Sequence, residues 1–538
     1  MSAAINLARR FLARGAAGIG HDTPRIGPAD LAAWLTEGRA VRRPVVRAVA
    51  LVVGIMPFAA YATLILYHFY LKGGFLWDSG LLAFLIGASD PRLPVPPIMG
   101  DGSFFAIHVT PIFVALSPIR SLLPMTGPQF FALFSGACHA LPGLAVFWVL
   151  YSGYRLRTPL GVGVAAVLGL AFSFNGLALA IARYPHFEML IVGMALLFFV
   201  ALAQGRRAAA VVFFAICLAT REDAGFHLFA ILCLLIALNR WRGIAWHEQR
   251  HEIVFALLAL SYSVGALSLQ HALFDHESSF ARIYLGEPAF GKISLALLRD
   301  RLLGYLQYRT YIVLPGLIAL FWAVRAGNPY LVLGYAAFLP WAVLHLMAES
   351  DIAGTLSGYY AYPFMIASFW PLLAALVERR QRAVPNAAVP AVFGFAAMIG
   401  ASFTALGYQA NLGHIELPAG FWSLPSLARQ AATDNALGQI VRGKAALGSV
   451  MVDGSVLGLV SDGFSKTETV RESGGRSPDT VVYFADAFES EAAQALAAKA
   501  GLDHRYEARG TAIRLWTRGA IDPASPLGSV LAPAATSE

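Results

Sequence analysis

The stretch that decides the fold is VRAVALVVGIMPFAAYATLILYHFYLKGGFLWDSG, residues 46–80. Its first part, 46–71, is apolar over the roughly 20 residues that a helix needs to cross a hydrocarbon core about 30 Å thick. Further apolar segments of comparable length lie at 129–152, 159–182, 185–204, 252–271, 310–326, 329–348, 360–378 and 386–408. The pattern predicts an α-helical polytopic membrane protein.

The composition points the same way. Of the 538 residues, 57% are hydrophobic and 13% are charged, whereas soluble domains carry roughly 25% charged residues. This excludes a disordered chain, a nucleic-acid-binding module and an ordinary soluble enzyme of several domains. The net charge of +8 is attributed to Lys and Arg in cytoplasmic loops, where membrane proteins concentrate them, so no nucleic-acid partner is expected.

One apolar run, 208–238, is interrupted by Arg221, Glu222 and Asp223. As a single helix it would hold three charges near the middle of the membrane, where each unpaired charge is costly. As a hairpin of two short helices it would place the three charges at the outer mouth and return the chain to a basic connector on the cytoplasmic side. The hairpin is the preferred interpretation, and with it the chain is predicted to have about eleven spans.

Charge and composition divide the chain into four parts. Residues 1–45 are rich in Arg and are predicted to be a cytoplasmic segment, and 46–408 form the transmembrane domain. Residues 409–522 alternate helical patterns with short β-branched runs, which predicts a small extracytoplasmic α/β domain. The tail, 523–538, is expected to be disordered. The expected location is a bacterial inner membrane, with the N-terminus in the cytoplasm and the C-terminal domain in the periplasm or outside the cell.

Ionisable and aromatic residues gather on the side that is predicted to face outward. Because ionisable groups at membrane depth are costly to bury, they are functional candidates by default. The candidates are Asp78, Asp101, His108, Arg183, His186, Glu188, Arg221, Glu222, Asp223, Arg282, Tyr359 and Tyr360.

Asp78 follows the first span closely, so it is expected near the level of the lipid headgroups. A partly desolvated carboxylate there can act as a general base toward a hydroxyl or an amine. The alternative is an N-cap that opens a helix over 79–86. The two roles are compatible, and the local sequence alone favours the cap.

Two interpretations are also open for the acidic turn and the histidines. Glu222 and Asp223 can bind a divalent cation or orient a phosphate, or they can belong to a capped hairpin in which Arg221 pairs with Glu222. His108 and His186 can be ligands or proton carriers, although an interfacial histidine is more often a hydrogen-bonding residue.

The basic and aromatic candidates are equally open to two interpretations. Arg183 and Arg282 can hold a lipid phosphate, or they can form a solvated basic face. Tyr359 and Tyr360 can stack on a sugar ring, or they can belong to the aromatic belt that membrane proteins place at the interface.

The order of motifs resembles a known family. A basic start and one span are followed by WDSG at 77–80, FAIHVTPIFVALSPIRSLLP at 105–124, YPHFE at 184–188, TREDAGFH at 220–227 and SGYYAYP at 357–363. This order resembles a family of bacterial polytopic membrane proteins. That family is similar in turn to the GT-C superfamily of membrane glycosyltransferases, which includes protein O-mannosyltransferases and aminoarabinose transferases. The likeness covers roughly residues 46–408.

The resemblance implies a sugar donor linked to polyprenyl phosphate and bound from the membrane. It implies that Asp78 is the catalytic base and that Arg221, Glu222 and Asp223 lie near the donor phosphate or a metal ion. Many GT-C enzymes carry two adjacent acidic residues in the first outer loop, whereas Asp78 here stands between Trp77 and Ser79. A requirement for Mg²⁺ or Mn²⁺, with Asp78 and Glu222 as candidate ligands, is therefore left open.

The resulting hypothesis is a GT-C-type glycosyltransferase that acts on the outer face of the inner membrane. Its acceptor would be a glycan, a lipid or a protein of the cell envelope. Two alternatives belong to other classes: a lipid or solute transporter or flippase, which should carry charges near mid-bilayer on several helices, and a non-catalytic envelope assembly protein whose working part is the C-terminal domain.

Overall fold

The structure is a computed structural model. It describes residues 33–71, 77–88, 90–95, 102–182, 185–274, 280–356, 358–381, 388–411, 425–460, 468–469, 477–485 and 490–534. Asp101, Arg183 and most of the predicted basic segment lie outside these ranges.

The described chain up to residue 411 is mostly helical. Several of its helices begin where a threonine side chain accepts a hydrogen bond from a first-turn N–H, as Thr126 and Thr158 do. The α-helices are α1 Arg43–Leu71, α2 Trp77–Ala88, α3 Pro111–Ser121, α4 Gly127–Trp148, α5 Pro159–Ser173, α6 Gly176–Ala182, α7 Met189–Ala203, α8 Arg207–Thr220, α9 Ala224–Trp241, α10 Arg250–Leu273, α11 Leu295–Tyr308, α12 Thr310–Ala326, α13 Leu333–Ala337, α14 Leu339–Met347, α15 Asp351–Gly354, α16 Tyr362–Gln381 and α17 Ala388–Asn411. Short 3₁₀ or π turns lie at Phe104–Ala106, Val149–Gly153, Trp246–Gln249, Ala281–Leu285, Pro329–Val332 and Gly358–Ala361.

Within the described residues, 5 helical stretches are long and apolar enough to cross a membrane, or up to 7 if each of two bent pairs is one span. The bent pairs are α5 with α6, at 40°, and α11 with α12, at 84°. Shorter apolar helices lie at Asp78–Gly87, Met189–Ala203, Arg207–Thr220 and Ala391–Phe403. An α-helical membrane protein is therefore confirmed, while the number of about eleven crossings stays a prediction.

The interrupted run at 208–238 is two helices. Arg221 has an extended backbone, with φ −160° and ψ 151°, so α8 ends at Thr220 and α9 starts at Ala224. The structure thereby removes Arg221, Glu222 and Asp223 from the interior of a single helix, as predicted.

The C-terminal part is an α/β unit, as expected. Its helices are α18 Leu427–Arg442, α19 Lys444–Leu447, α20 Gly454–Leu459, α21 Ser490–Lys499 and α22 Pro526–Val530. Its strands are β1 Val450–Val452, β2 Glu468–Thr469, β3 Thr480–Phe484, β4 His504–Ala508, β5 Ile513–Thr517 and β6 Leu531–Pro533. The sheet order is β2-β1-β3-β5-β4-β6, in which β1 is parallel to β2 and β3 and the other pairs are antiparallel.

The prediction that the tail is disordered from residue 523 is wrong up to residue 534. Ser525 caps α22 by accepting from the N–H of Gly528, and the side chain of Leu527 is buried. The following strand β6 pairs with β4 in antiparallel register. Strand pairing of this kind satisfies backbone groups across distant parts of the chain, so the local composition did not reveal it.

The C-terminal unit shares a hydrophobic core with the first loop of the helical part. Leu81 and Phe131 belong to the same buried cluster as Val456 and Leu515. At the closest approach, α20 lies against α2 through glycines: a Cβ atom on Gly80 would overlap the carbonyl oxygen of Gly454. The helix that carries Asp78 therefore packs directly against the C-terminal unit.

We predict that Gly80→Ala separates α2 from α20 and destabilises the purified protein by about 1–3 kcal/mol, the usual cost of overpacking. Gly163→Ala is the matched control, because Gly163 also lies inside a helix and no atom would stand within 4 Å of its Cβ. Thermal unfolding in detergent should show a lower midpoint for Gly80→Ala only. Equal midpoints for the two variants would contradict the close packing.

Candidate functional site

The acidic turn after α8 binds the segment that precedes α3. Glu222 is buried, and both of its carboxylate oxygens accept hydrogen bonds: Oε1 lies 2.8 Å from Nδ1 of His108, and Oε2 lies 2.9 Å from the backbone N of Val109. From the other side, the Ser263 hydroxyl donates to the backbone oxygen of Glu222 at 2.5 Å. The turn is therefore fixed between the first loop and α10.

A second buried carboxylate joins the same turn to the segment after α6. Glu188 is fully buried, with Arg221 on one oxygen and the Nδ1 of His186 on the other. The Nε of Arg221 also lies 3.5 Å from Oε1 of Glu222 and 3.4 Å from Oδ1 of Asp223. One network of hydrogen bonds and ion pairs thus connects His186, Glu188, Arg221, Glu222 and His108.

Glu222 is ionised in this network. Burial is the largest influence and opposes its charge, but the adjacent His108 and Arg221 outweigh it and lower the pKa of Glu222 to about 2. Burial, followed by the charge of Arg221, lowers the pKa of His186 well below its ordinary value. His186 is therefore a neutral ring, and Glu222 is an acceptor that cannot act as a general acid near neutral pH.

Asp78 lies in the first turn of α2 and is half-buried. Because α2 begins at Trp77, the expectation that Asp78 is the N-cap of a helix starting at 79 is wrong; a carboxylate in the first turn is nonetheless favoured by the helix dipole. The adjacent Ser79 donates to the carbonyl oxygen of Pro185 at 2.9 Å. This bond ties the start of α2 to the segment that carries His186 and Glu188.

An aromatic stack completes the site. The Tyr359 ring stacks on His186, with 4.1 Å between ring centroids, and Tyr360 stacks on Tyr359 at 4.4 Å. Burial raises the pKa of both tyrosines, and the charges of Asp78 and Arg221 also act on both. The stack contacts the buried network through His186 and lies within electrostatic range of Asp78.

In the turn itself, Nε of Arg221 and Oδ1 of Asp223 are buried and have no hydrogen-bond partner in the part of the chain that the structure describes. The same holds for three side chains around the turn, at Nε2 of His227 and at the hydroxyls of Tyr262 and Tyr362. The charge of Asp223 acts on all three residues. Buried polar groups without partners are costly, so they are usually satisfied by ordered water or a polar ligand. This arrangement suits a polar ligand beside Asp223.

The structure therefore brings together candidates that lie far apart in sequence. His108, His186, Glu188, Arg221, Glu222 and Asp223 form the network, while Asp78, Tyr359 and Tyr360 form the adjoining face. Arg282 has an exposed side chain, and its connection to the site is the effect of its charge on Tyr360. Sequence reasoning missed Ser263, which acts through its helix hydroxyl. Val109 and Ser79 lie within the quoted motifs at 105–124 and 77–80, but neither was given a role.

The residues do not form a ready metal centre. Among the described residues, no group of three or more His, Cys, Asp or Glu could hold a metal ion. Glu222 already accepts two hydrogen bonds, so it does not present a free ligand beside Asp78. A requirement for Mg²⁺ or Mn²⁺, with Asp78 and Glu222 as candidate ligands, stays a hypothesis from the sequence.

Comparison with known proteins finds similarity in structure only. No protein-family model and no curated protein matches the sequence. The crystal structure of ArnT from Cupriavidus metallidurans bound to undecaprenyl phosphate is similar over 89% of this chain and 98% of that chain, with 14% identity and a TM-score of 0.41. At this identity and TM-score, the likeness assigns no residue and no reaction to this chain.

We predict that Glu188→Gln destabilises the protein by about 3–5 kcal/mol, because it removes the charge of a fully buried carboxylate that pairs with the partly buried Arg221. Glu507→Gln is the matched control: it removes the same charge from a partly exposed pair, in which Arg514 Nε lies 3.0 Å from Glu507 Oε1, and about 0–1 kcal/mol is expected. Thermal unfolding of both purified variants measures the difference. Similar small shifts for the two would show that Glu188 is not the anchor of the network.

A second prediction concerns the loss of thermal stability at low pH. Because the pKa of Glu222 is depressed to about 2, its ionised form contributes stability that is present above the unfolded-state pKa, near 4.3. That contribution is lost as the pH falls from about 5 toward 2. Glu222→Gln should therefore show a shallower loss of thermal stability over this interval than the native protein. Parallel pH profiles would rule out a depressed pKa at Glu222.

Proposed function

We propose that this protein is a membrane glycosyltransferase that moves a sugar from a polyprenyl-phosphate donor to an acceptor on the outer face of the inner membrane. One observation carries the proposal. Carboxylate, imidazole, guanidinium and tyrosine groups from five separate segments meet beside one another at the ends of apolar helices. Such a donor needs polar groups at the point where its lipid tail ends and its phosphate and sugar begin.

Asp78 is the proposed base. In the transfer, an acceptor hydroxyl attacks the anomeric carbon of the sugar, the bond from that carbon to the phosphate oxygen breaks, and Asp78 takes the hydroxyl proton. Polyprenyl phosphate leaves with the bonding electron pair. The half-buried position of Asp78 next to the tyrosine stack supports this role, since a base must lie within hydrogen-bonding reach of the acceptor.

The leaving phosphate requires a cation. Arg221 is compensated by Glu188, Glu222 and Asp223, so we assign it to positioning the network. Arg282 is exposed and its charge acts on Tyr360, which makes it the better candidate for direct phosphate contact. A guanidinium can bind a phosphate through two parallel hydrogen bonds and stabilise the charge that develops on it.

The stack of His186, Tyr359 and Tyr360 supports the sugar. Rigid aromatic rings present apolar faces, and the neutral state of His186 adds a third ring without a charge. We propose that this stack holds one face of the donor sugar so that its anomeric carbon lies toward Asp78. His186 also contacts Glu188, so the aromatic stack and the charged network are directly connected.

The test is loss of envelope glycan modification in a deletion strain complemented with variants. A strain that carries Asp78→Asn should lose the modification by about 10²–10⁴-fold, the usual contribution of a general base, with protein amounts unchanged. Asp300→Asn is the matched control, because Asp300 is exposed and pairs only with the neighbouring Arg299 among the described ion pairs. Mass spectrometry of envelope glycans measures the product.

The opposite pattern would identify another class of protein. If Asp78→Asn supports native levels of modification while removal of residues 425–534 abolishes it, the chain is a non-catalytic assembly protein. If no glycan differs between the deletion strain and its parent, the transferase proposal is wrong.

A further inference from the structure

A polar cavity lies at the end of the helical part opposite the candidate functional site. Its volume is about 600 Å³, and it is enclosed by the ends of α7 and α9, the start of α8 and α10, and the inner face of α16. Asn239 lines it near the end of α9, whereas Asp223 precedes the start of α9. At 1.5 Å per residue the two are about 24 Å apart along the helix, so this cavity is separate from the candidate active site.

Among the described residues, the cavity contains a buried donor and a buried acceptor that lack hydrogen-bond partners. Nε1 of Trp370 and Oε1 of Gln249 are buried without a hydrogen-bond partner in the described part of the chain, and both residues line the cavity. Each side chain is only 1% exposed. An unsatisfied buried donor and acceptor in one cavity indicate a ligand that accepts from the first and donates to the second.

The remaining lining combines exposed charged residues at the rim with buried polar side chains and apolar residues. Arg207 and Arg250 are exposed cations at the rim, and Glu248 lies beside them. Apolar side chains, among them Leu202 and Leu373, form part of the wall, together with the buried Asn239 and Glu252. Both signs of charge beside an apolar wall complement a molecule that has a phosphate, an amine and a hydrocarbon part.

Two tryptophans place the rim at a membrane surface. Trp241 and Trp246 are close in sequence to residues that line the cavity, and they are 76% and 58% exposed. The guanidinium of Arg240 lies over the Trp246 ring, 4.9 Å from its centroid. Exposed tryptophans at the end of apolar helices are typical of the level of the lipid headgroups, where phospholipids are the most abundant molecules with the required chemistry.

We propose that this cavity binds the headgroup of a zwitterionic aminophospholipid. The phosphate contacts Arg207 and Arg250, the ammonium group donates to Oε1 of Gln249 and to Glu248, and the indole N–H of Trp370 donates to an ester or phosphate oxygen. The acyl chains leave along the apolar wall into the bilayer.

The experiment is native mass spectrometry of the purified full-length protein, titrated with short-chain phosphatidylethanolamine, short-chain phosphatidylglycerol or free phosphoethanolamine. Phosphatidylethanolamine should bind at least about tenfold more tightly than phosphatidylglycerol, as expected for one charge-assisted hydrogen bond to its amine. Free phosphoethanolamine should bind more weakly still, because it lacks the apolar part.

Variants test the individual contacts. Arg207→Gln should weaken phosphatidylethanolamine binding about tenfold, and Trp370→Phe about fivefold, since the latter removes one neutral hydrogen bond. Arg206→Gln is the matched control, because Arg206 is also exposed but does not line the cavity.

Three results would overturn the proposal. Equal affinity for the two lipids would indicate a site that recognises negative charge alone. Equal affinity for phosphoethanolamine would indicate a soluble ligand. The same weakening by Arg206→Gln and Arg207→Gln would indicate attraction by the basic surface as a whole. The comparison of ligands on the native protein holds even if Trp370→Phe does not fold.

Discussion

The central constraint in this molecule is that buried charge must be paired. Glu188 and Glu222 are removed from water at the ends of apolar helices, and each would be strongly destabilising alone. They are held only because Arg221, His186, His108 and the Val109 N–H meet them. These partners belong to segments that are far apart in sequence, so satisfying two carboxylates also sets the positions of the segment before α3, the segment after α6 and the α8–α9 turn. The candidate active site is a consequence of that pairing.

The C-terminal unit has a structural role at the same place. It shares a core with α2 and approaches it through Gly80, Gly454 and Gly458, where the Cα of Gly80 would be 3.0 Å from a Cβ on Gly458. Further polar contacts join α18 to the helical part, including that of the Tyr70 hydroxyl with Asp434, at 3.3 Å. The helix that carries Asp78 is thus supported on one side by the membrane helices and on the other by the C-terminal unit, which limits the positions that the carboxylate can take.

Several elements could be predicted because their cause is local. The helices follow from long apolar runs, and the break at Arg221–Asp223 follows from three consecutive charges that a single span would not tolerate. The strands β1, β3 and β5 follow from short β-branched runs between Gly and Asp. The ordered structure after residue 523 was not predicted, because β6 is defined by its pairing with β4. The start of α2 at Trp77 was not predicted either, because a first-turn carboxylate and an N-cap look alike in sequence.

The amino-acid sequence by itself determined that the apolar segments belong in lipid, that the protein is helical and which polar residues are candidates, since hydropathy and charge act within each segment. Which of those residues meet was decided by tertiary structure. His108 and Glu222 are 114 positions apart, and no local pattern relates them. The same holds for the stack of His186 on Tyr359 and for the glycine contact of α2 with α20. Such contacts exist because packing brings distant segments together and limits which partners each buried polar group can reach, and those partners are fixed only when all the segments are assembled.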